Sequence, residues 1–275
     1  MNSDDQKSSS NRGSGRLIMI LITIALVIGG SWLAYGWYQR YQSQQTAMLL
    51  EQQARERLVE INANRNLRTN AQEMGEIPPE RSNYFVPRHL LDLAIQNPDF
   101  VGVITIPALN QSYPVVQGKD NDFYLNHDFY GNYSQYGAIY VDYRVDLQDR
   151  APHIILYGHN MLDGQMFGSL TRLASPANFN AAPQIIFDTI YGTMDFFIFS
   201  THVVNYTETS FLQTQFNLET YQAFITRLNT ISSPEVIYPA TINNRLISLV
   251  TCNDYNYETQ RFLAHGILRS VTQQP

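Results

Sequence analysis

The chain has 275 residues, a net charge of −6 at neutral pH, 15% charged side chains and a single cysteine. Recognition of nucleic acid is excluded, because phosphate binding needs a basic stripe that this sequence does not carry. A disulfide scaffold is excluded as well, so any extracellular domain must be held by its own hydrophobic core.

In chain order, a tail over residues 1–16 places Lys7, Arg12 and Arg16 among Ser, Asn and Gly. Residues 17–38, LIMILITIALVIGGSWLAYGWY, carry no charged side chain. At about 1.5 Å per helical residue this stretch can cross a hydrocarbon core of about 30 Å. Trp32, Tyr35, Trp37 and Tyr38 suit an interfacial aromatic belt. The stretch exceeds the apolar part of a cleaved signal peptide and ends without a clear small-x-small cleavage site, which favours an uncleaved anchor. The basic flank predicts a single-pass protein of the cell membrane, with the N-terminus inside and the remainder extracellular.

Residues 39–86 read as a helical juxtamembrane linker. Leu49, Leu50, Leu58, Ile61 and Leu67 are spaced for one helical face, which predicts a helix or helix pair reaching about Asn70. Glu51, Arg55, Glu56, Arg57 and Glu60 are expected to form local ion pairs on a solvated face. Clean heptads are missing, which argues for a spacer rather than a coiled-coil dimer. Gly75, Pro78, Pro79 and Pro87 break helices and mark a boundary, so a domain is expected over 87–275.

That domain opens with a short helix, 88–96. Strands are predicted over 101–106, 113–116, 138–141, 154–157, 184–188, 195–204, 246–251 and 262–268, each apolar or β-branched and bounded by Gly, Pro or Asn. Eight strands with few helices between them predict a mainly β fold, a closed or nearly closed barrel. Two interruptions are expected. Residues 166–173 read as a short helix after the turn at Gly164. The segment NLETYQAFITRLNTI, 217–231, puts Leu218, Tyr221, Phe224, Ile225 and Leu228 on one face and reads as an amphipathic helix packed on the barrel.

Cys252 closes the apolar run ISLVTC. Cysteine catalysis needs a thiolate, a proton donor for the leaving group, and a donor where the oxyanion develops. Six histidines compete for the acid–base role: His89, His127, His153, His159, His202 and His265. Only His159, in LYGHNMLDG, follows a strand that ends at a glycine, where the backbone can turn and leave the next side chain at a barrel rim. The other five read as hydrogen-bonded surface or core residues. Arg261 opens the strand after a polar loop over 253–260, and antiparallel pairing would bring it beside Cys252. Taken alone, Arg261 could equally form a surface ion pair with Asp254 or Glu258.

The order His159, Cys252, Arg261, within YGHN, LVTC and QRF, resembles the sortases, the cysteine transpeptidases of Gram-positive cell surfaces. NPDFVGVI from 97, YPVVQ from 113, YLNHDF from 124, GAIYVD from 137, and HNM followed by DG and MF are similar to class B members over about 170 residues. The resemblance implies an eight-stranded sortase-type barrel with an N-terminal helical extension and a helix between the sixth and seventh strands. It implies that Cys252 forms a thioacyl enzyme with a C-terminal sorting signal of a secreted protein, with His159 as acid and base and Arg261 stabilising the oxyanion. Asn126 and Thr251 are expected to contact substrate. The acceptor would be an amine of a peptidoglycan precursor, or a pilin lysine in a pilin-polymerising member, and the chemistry requires no metal or organic cofactor. One departure concerns the pocket: class B members often have Ser two residues before the cysteine, where this chain has Val250.

Other cysteine enzymes match less well. Papain-like and cell-wall amidase-like enzymes place the cysteine before the histidine, and L,D-transpeptidases have Arg two residues after the cysteine, where this chain has Asp254. The alternative from a different class is a membrane-anchored binding or adhesion module in which Cys252 is a buried structural thiol.

Overall fold

The computed structural model describes residues 10–65, 87–180, 183–232, 234–252 and 259–272, with the backbone alone for 10–16, 57–65, 180 and 252, so the side chains of Arg57, Leu58, Glu60 and Ile61 lie outside the described ones. Lys7, the expected helix end at Leu67 to Asn70, the boundary residues Gly75, Pro78 and Pro79, and Asp254 and Glu258 lie outside the described residues. Two compact units are present, Met1–Gln44 and Gln45–Pro275.

The first unit is helical throughout its described part. It is the beginning of α1, Ser10–Arg65, whose stretch Leu17–Glu56 is long and apolar enough to cross a membrane by length and composition. The sequence predicts a span followed by a helix or helix pair, and α1 runs unbroken over Ser10–Arg65. Between Trp37 and Arg65 there is no Gly or Pro, and Ala, Leu, Gln, Glu and Arg all favour the helix, so nothing in the chain interrupts it.

The second unit holds α2 (Arg88–Gln96), β1 (Phe100–Ile106), β2 (Gln111–Val116), β3 (Ile139–Val141), β4 (His153–Tyr157), α3 (Pro176–Asn180), β5 (Gln184–Thr189), β6 (Gly192–Asn205), α4 (Leu218–Ile231), β7 (Leu246–Cys252) and β8 (Gln260–Thr272). The strands close into a barrel in the order β1-β2-β3-β4-β7-β8-β6-β5, and antiparallel pairing of β1 with β5 completes the ring. Two contacts are parallel, β2 with β3 and β4 with β7. All eight expected strands are present, and the helix between β6 and β7 is α4.

Side-chain alternation sorts the barrel into an inner and an outer layer. Ile154, Leu156, Ile247, Leu249, Phe262 and Ala264 belong to the inner cluster. Ile155, Leu246, Val250 and Leu263 face outward and pack against Tyr221, Phe224, Ile225 and Leu228 of α4. Because α4 covers the outside, both faces of β4, β7 and β8 are buried, which is why these strands read as continuous apolar runs. Each such large side chain contributes about 1.5–3 kcal/mol on burial. Asn217 starts α4 with a capping box, its side chain accepting from the Thr220 backbone N–H and the Thr220 hydroxyl accepting from the Asn217 N–H. Leu218, expected on the packed face, is instead 70% exposed. Phe216 folds back onto Tyr221 and Phe224, at ring separations of 5.0 and 5.1 Å, and covers that end of the helix.

Under α4 lies a buried polar chain. His153 Nδ1 donates to the Gln213 carbonyl at 2.7 Å, because a carbonyl only accepts. His153 Nε2 is therefore the acceptor for the Ser248 hydroxyl at 2.6 Å. Ser248 Oγ in turn accepts from His265 Nδ1 at 2.5 Å. His202 stacks on His265 with ring centroids 4.9 Å apart. Burial lowers all three histidines, His153 and His202 to about 4 and His265 well below its ordinary value. They are neutral core residues, in line with their reading in the sequence.

Candidate functional site

Strand register brings the singled-out residues to one end of the barrel. β4 and β7 run parallel, with Tyr157 opposite Val250, and the pairing continues through the Gly158 N–H bonded to the Val250 carbonyl at 3.2 Å. His159 lies two residues beyond Tyr157, and Cys252 two beyond Val250. On the other side β7 pairs antiparallel with β8, and Cys252 stands opposite Arg261. His159, Cys252 and Arg261 thus occupy the ends of three adjacent strands.

His159 is partly exposed, and its Nε2 donates to the Leu125 carbonyl at 2.7 Å. This contact assigns the proton to Nε2 and leaves Nδ1 as the free acceptor. The importance of Leu125 has no sequence signature, because any residue has a carbonyl. Gly158 is needed for a different reason from the one expected: its φ is not in the left-handed region. A Cβ there would lie 2.4 Å from the Ile139 Cδ1 and 2.8 Å from the Phe167 ring, so space decides, not backbone freedom.

Asn126 follows Leu125 directly and is exposed at the end of a short 3-10 turn, Phe123–Leu125. Thr251 is buried opposite Phe262, on the inner side of β7 with Leu249. Its Oγ1 has no hydrogen-bond partner among the described residues. Arg261 is partly buried, and its Nη1 has none among them either. A buried guanidinium donor in that state is costly unless an acceptor arrives, and a peptide carbonyl or oxyanion is such an acceptor.

Residues 166–173, expected as a helix, are not one. Met166 takes a positive φ of 52°, and a 3-10 turn begins only at Leu170. The backbone pairs Asn160 with Met166 and bonds the Phe167 N–H to the His159 carbonyl at 3.0 Å. The loop therefore folds back on the residue it follows. Gly168 sits at the closest approach, where a Cβ would meet the Met161 carbonyl oxygen at 2.2 Å. Gly168→Ala is expected to destabilise the chain by about 1–3 kcal/mol, since backbone cannot yield as a side chain can. Thermal unfolding of the variant measures this, and an unchanged midpoint would contradict it.

A buried carboxylate paired with an exposed arginine ties the neighbouring strands. Asp142, after β3, accepts from Arg144 Nε at 2.8 Å and Nη2 at 2.7 Å, and from the Tyr157 hydroxyl at 2.9 Å. Burial acts to raise Asp142, but these hydrogen bonds outweigh it and hold the carboxyl below its ordinary value.

A family model described as the sortase domain matches residues 104–269. Sortase B of Staphylococcus aureus is 33% identical over 168 residues, covering 60% of this chain and 68% of that protein. Sortase B of Listeria monocytogenes is 30% identical over 181 residues, covering 65% of this chain and 73% of that protein. Among solved structures, sortase B of Clostridium perfringens superposes with a TM-score of 0.59 at 30% identity, over 65% of this chain and 98% of the other. The S. aureus sortase B–substrate complex superposes with a TM-score of 0.63 at 29% identity, over 70% and 89% of the two chains.

Proposed function

This chain belongs to the sortase family and is a cysteine transpeptidase of the sortase B kind, and we propose that Cys252, His159 and Arg261 carry its reaction. The observation behind this reading is the shared register of β4, β7 and β8, with Tyr157 opposite Val250 and Cys252 opposite Arg261.

In the first step the Cys252 thiolate attacks a backbone carbonyl of a sorting signal. His159 Nδ1 takes the thiol proton as the thiolate forms, a C–S bond forms as the peptide C–N bond breaks, and Nδ1 passes that proton to the departing amine. Arg261 donates to the oxyanion of the tetrahedral intermediate. In the second step an acceptor amine attacks the thioester, His159 takes its proton, and the thiolate leaves. Leu125 holds the His159 ring through Nε2, so that Nδ1 is the atom that moves the proton. Asn126 and Thr251 flank the site, and we assign them to substrate contact, Thr251 from the inner side.

The substrate is the C-terminal sorting signal of a secreted protein, and the acceptor an amine of the peptidoglycan precursor. Residues 17–38 anchor the protein, with the 1–16 tail inside. Residues 39–86 are the helical linker and 87–275 the extracellular catalytic domain. The apolar stretch of α1 supports anchoring, and the basic tail supports the orientation.

The test is intact-mass analysis of the full chain mixed with a library of sorting-signal peptides. One peptide fragment is expected to remain on Cys252 as a hydroxylamine-labile thioester and to move to a cell-wall amine when one is supplied. A folded protein that forms no adduct and whose thiol also resists a small thiosulfonate would instead be a binding module with a structural cysteine. Transfer to a pilin lysine alone would assign the protein to polymerisation.

A further inference from the structure

Tyr113, in β2, is 3% exposed within the barrel. Its hydroxyl accepts from the Met166 backbone N–H at 2.9 Å. The Glu51 carboxylate on α1 acts on the same phenol and, after burial, adds to the rise in its pKa. Glu51 in turn is held by Arg55 Nη2 at 2.5 Å, one helical turn on. The sequence places this pair on a solvated helix face. The structure turns Glu51 toward the barrel, with its side chain only 14% exposed. Ala47, one turn earlier on α1, packs in the same cluster as Tyr113 and Met166.

The other end of this chain of contacts is the loop that carries His159. Met166 is a non-glycine residue at φ 52°, a conformation that persists only where its surroundings impose it. Its neighbour Phe167 donates to the His159 carbonyl, and Met166 itself pairs with Asn160. Gln111, from the same strand as Tyr113, adds a bond from Nε2 to the Gly164 carbonyl at 2.7 Å. Packing alone would be served by a phenylalanine at position 113. The hydroxyl adds a link between a helix carboxylate and a strained loop residue six positions before which lies Asn160, the residue next to His159. Burial, followed by the Glu51 charge, raises the phenol, so it stays a neutral donor at any physiological pH.

We propose that Tyr113 is a positioning residue for the His159 loop, and that Glu51 sets it, so that the seating of the helix following the apolar span tunes transpeptidase turnover. This inference rests on the role given to His159 above. The line of contact runs Arg55, Glu51, Tyr113, Met166 and then the backbone around His159.

The experiment compares Tyr113→Phe, Glu51→Ala, Glu51→Gln and the double variant Tyr113→Phe/Glu51→Ala in the full chain. Readouts are kcat and KM for thioester formation with a sorting-signal peptide, and hydrogen exchange over residues 159–168. Tyr113→Phe is expected to lower kcat about tenfold with KM within about twofold, as a small misplacement of a catalytic group does. Glu51→Ala should match it, the double variant should lose no more than either alone, and Glu51→Gln, which keeps an acceptor, should recover most of the rate. Exchange over 159–168 should quicken in both single variants. A wild-type kcat in Tyr113→Phe, additive losses in the double variant, or a fall in rate that follows only a fall in global stability would each overturn the proposal. If the wild-type chain forms no acyl adduct at all, the catalytic reading fails first. The exchange data then decide the coupling separately: quicker exchange supports it and unchanged exchange overturns it.

Discussion

His159→Ala is expected to lower kcat for sorting-signal cleavage by about 10²- to 10⁴-fold, the usual contribution of a positioned general acid and base. Arg261→Ala should lower it by about 10²- to 10³-fold, the usual loss when one oxyanion donor is removed. Cys252→Ala should form no thioacyl adduct. The reasoning is geometric, because the three residues end three adjacent strands and Arg261 has a buried Nη1 without a partner among the described residues. Arg261→Lys separates charge from shape: it keeps the positive charge but loses the planar fork, so a bidentate role predicts little recovery. Steady-state kinetics with a quenched sorting peptide gives all four values. Near-normal transpeptidation by Arg261→Ala would remove that residue from the mechanism.

Acid is expected to destabilise the barrel steeply between pH 6.5 and pH 4. Burial lowers His153 and His202 to about 4 and holds His265 well below its ordinary value, so the folded protein leaves them neutral while the unfolded chain protonates them near 6.5. Each therefore contributes stability that is complete above pH 6.5 and is lost as the pH falls toward its folded value, up to about 3 kcal/mol each for His153 and His202 by pH 4. The hydrogen bonds enforce this neutrality. With His153 Nδ1 committed to the Gln213 carbonyl, Ser248 can donate only to an unprotonated Nε2, and a proton added to His265 would sit on a buried Nε2 that has no acceptor among the described residues. His202→Phe should flatten the dependence by about one proton without loss at neutral pH, since both His202 ring nitrogens are buried without partners among the described residues. Urea unfolding at pH 7, 5.5 and 4.5 measures the slopes. An equal slope for wild type and His202→Phe would show that His202 is not a source of the acid sensitivity.

Much of the barrel was legible in the chain. The strands are β-branched, bounded by turn residues, and buried on both faces wherever α4 or α2 covers them, so their apolar runs end where the strands end. α4 announced itself through its periodicity, apart from Leu218, whose place Phe216 takes by folding back from the preceding loop. The segment after His159 was misread for a related reason. Met166 to Leu173 has helical composition, but bonds from Gln111 and Tyr113, far away in sequence, pull it into a turn that local preference would not choose. Gly158 was singled out correctly and explained wrongly, because the crowding by Ile139 and Phe167 exists only in the folded barrel.

By itself the sequence determined the composition of the machinery: one thiol, an arginine nine residues later, a histidine after a strand-ending glycine, and an apolar stretch long enough for a bilayer. Those are properties of residue type and spacing, which local physics can read. Only the tertiary structure decided that β4 runs parallel to β7 while β8 runs antiparallel to it, so that residues 93 positions apart reach the same barrel end. It alone decided that the Leu125 carbonyl accepts a hydrogen bond from His159 Nε2 and that Glu51 turns inward toward the barrel. Such contacts join backbone atoms and distant strands, and their partners are chosen by closure of the barrel, which no local pattern encodes.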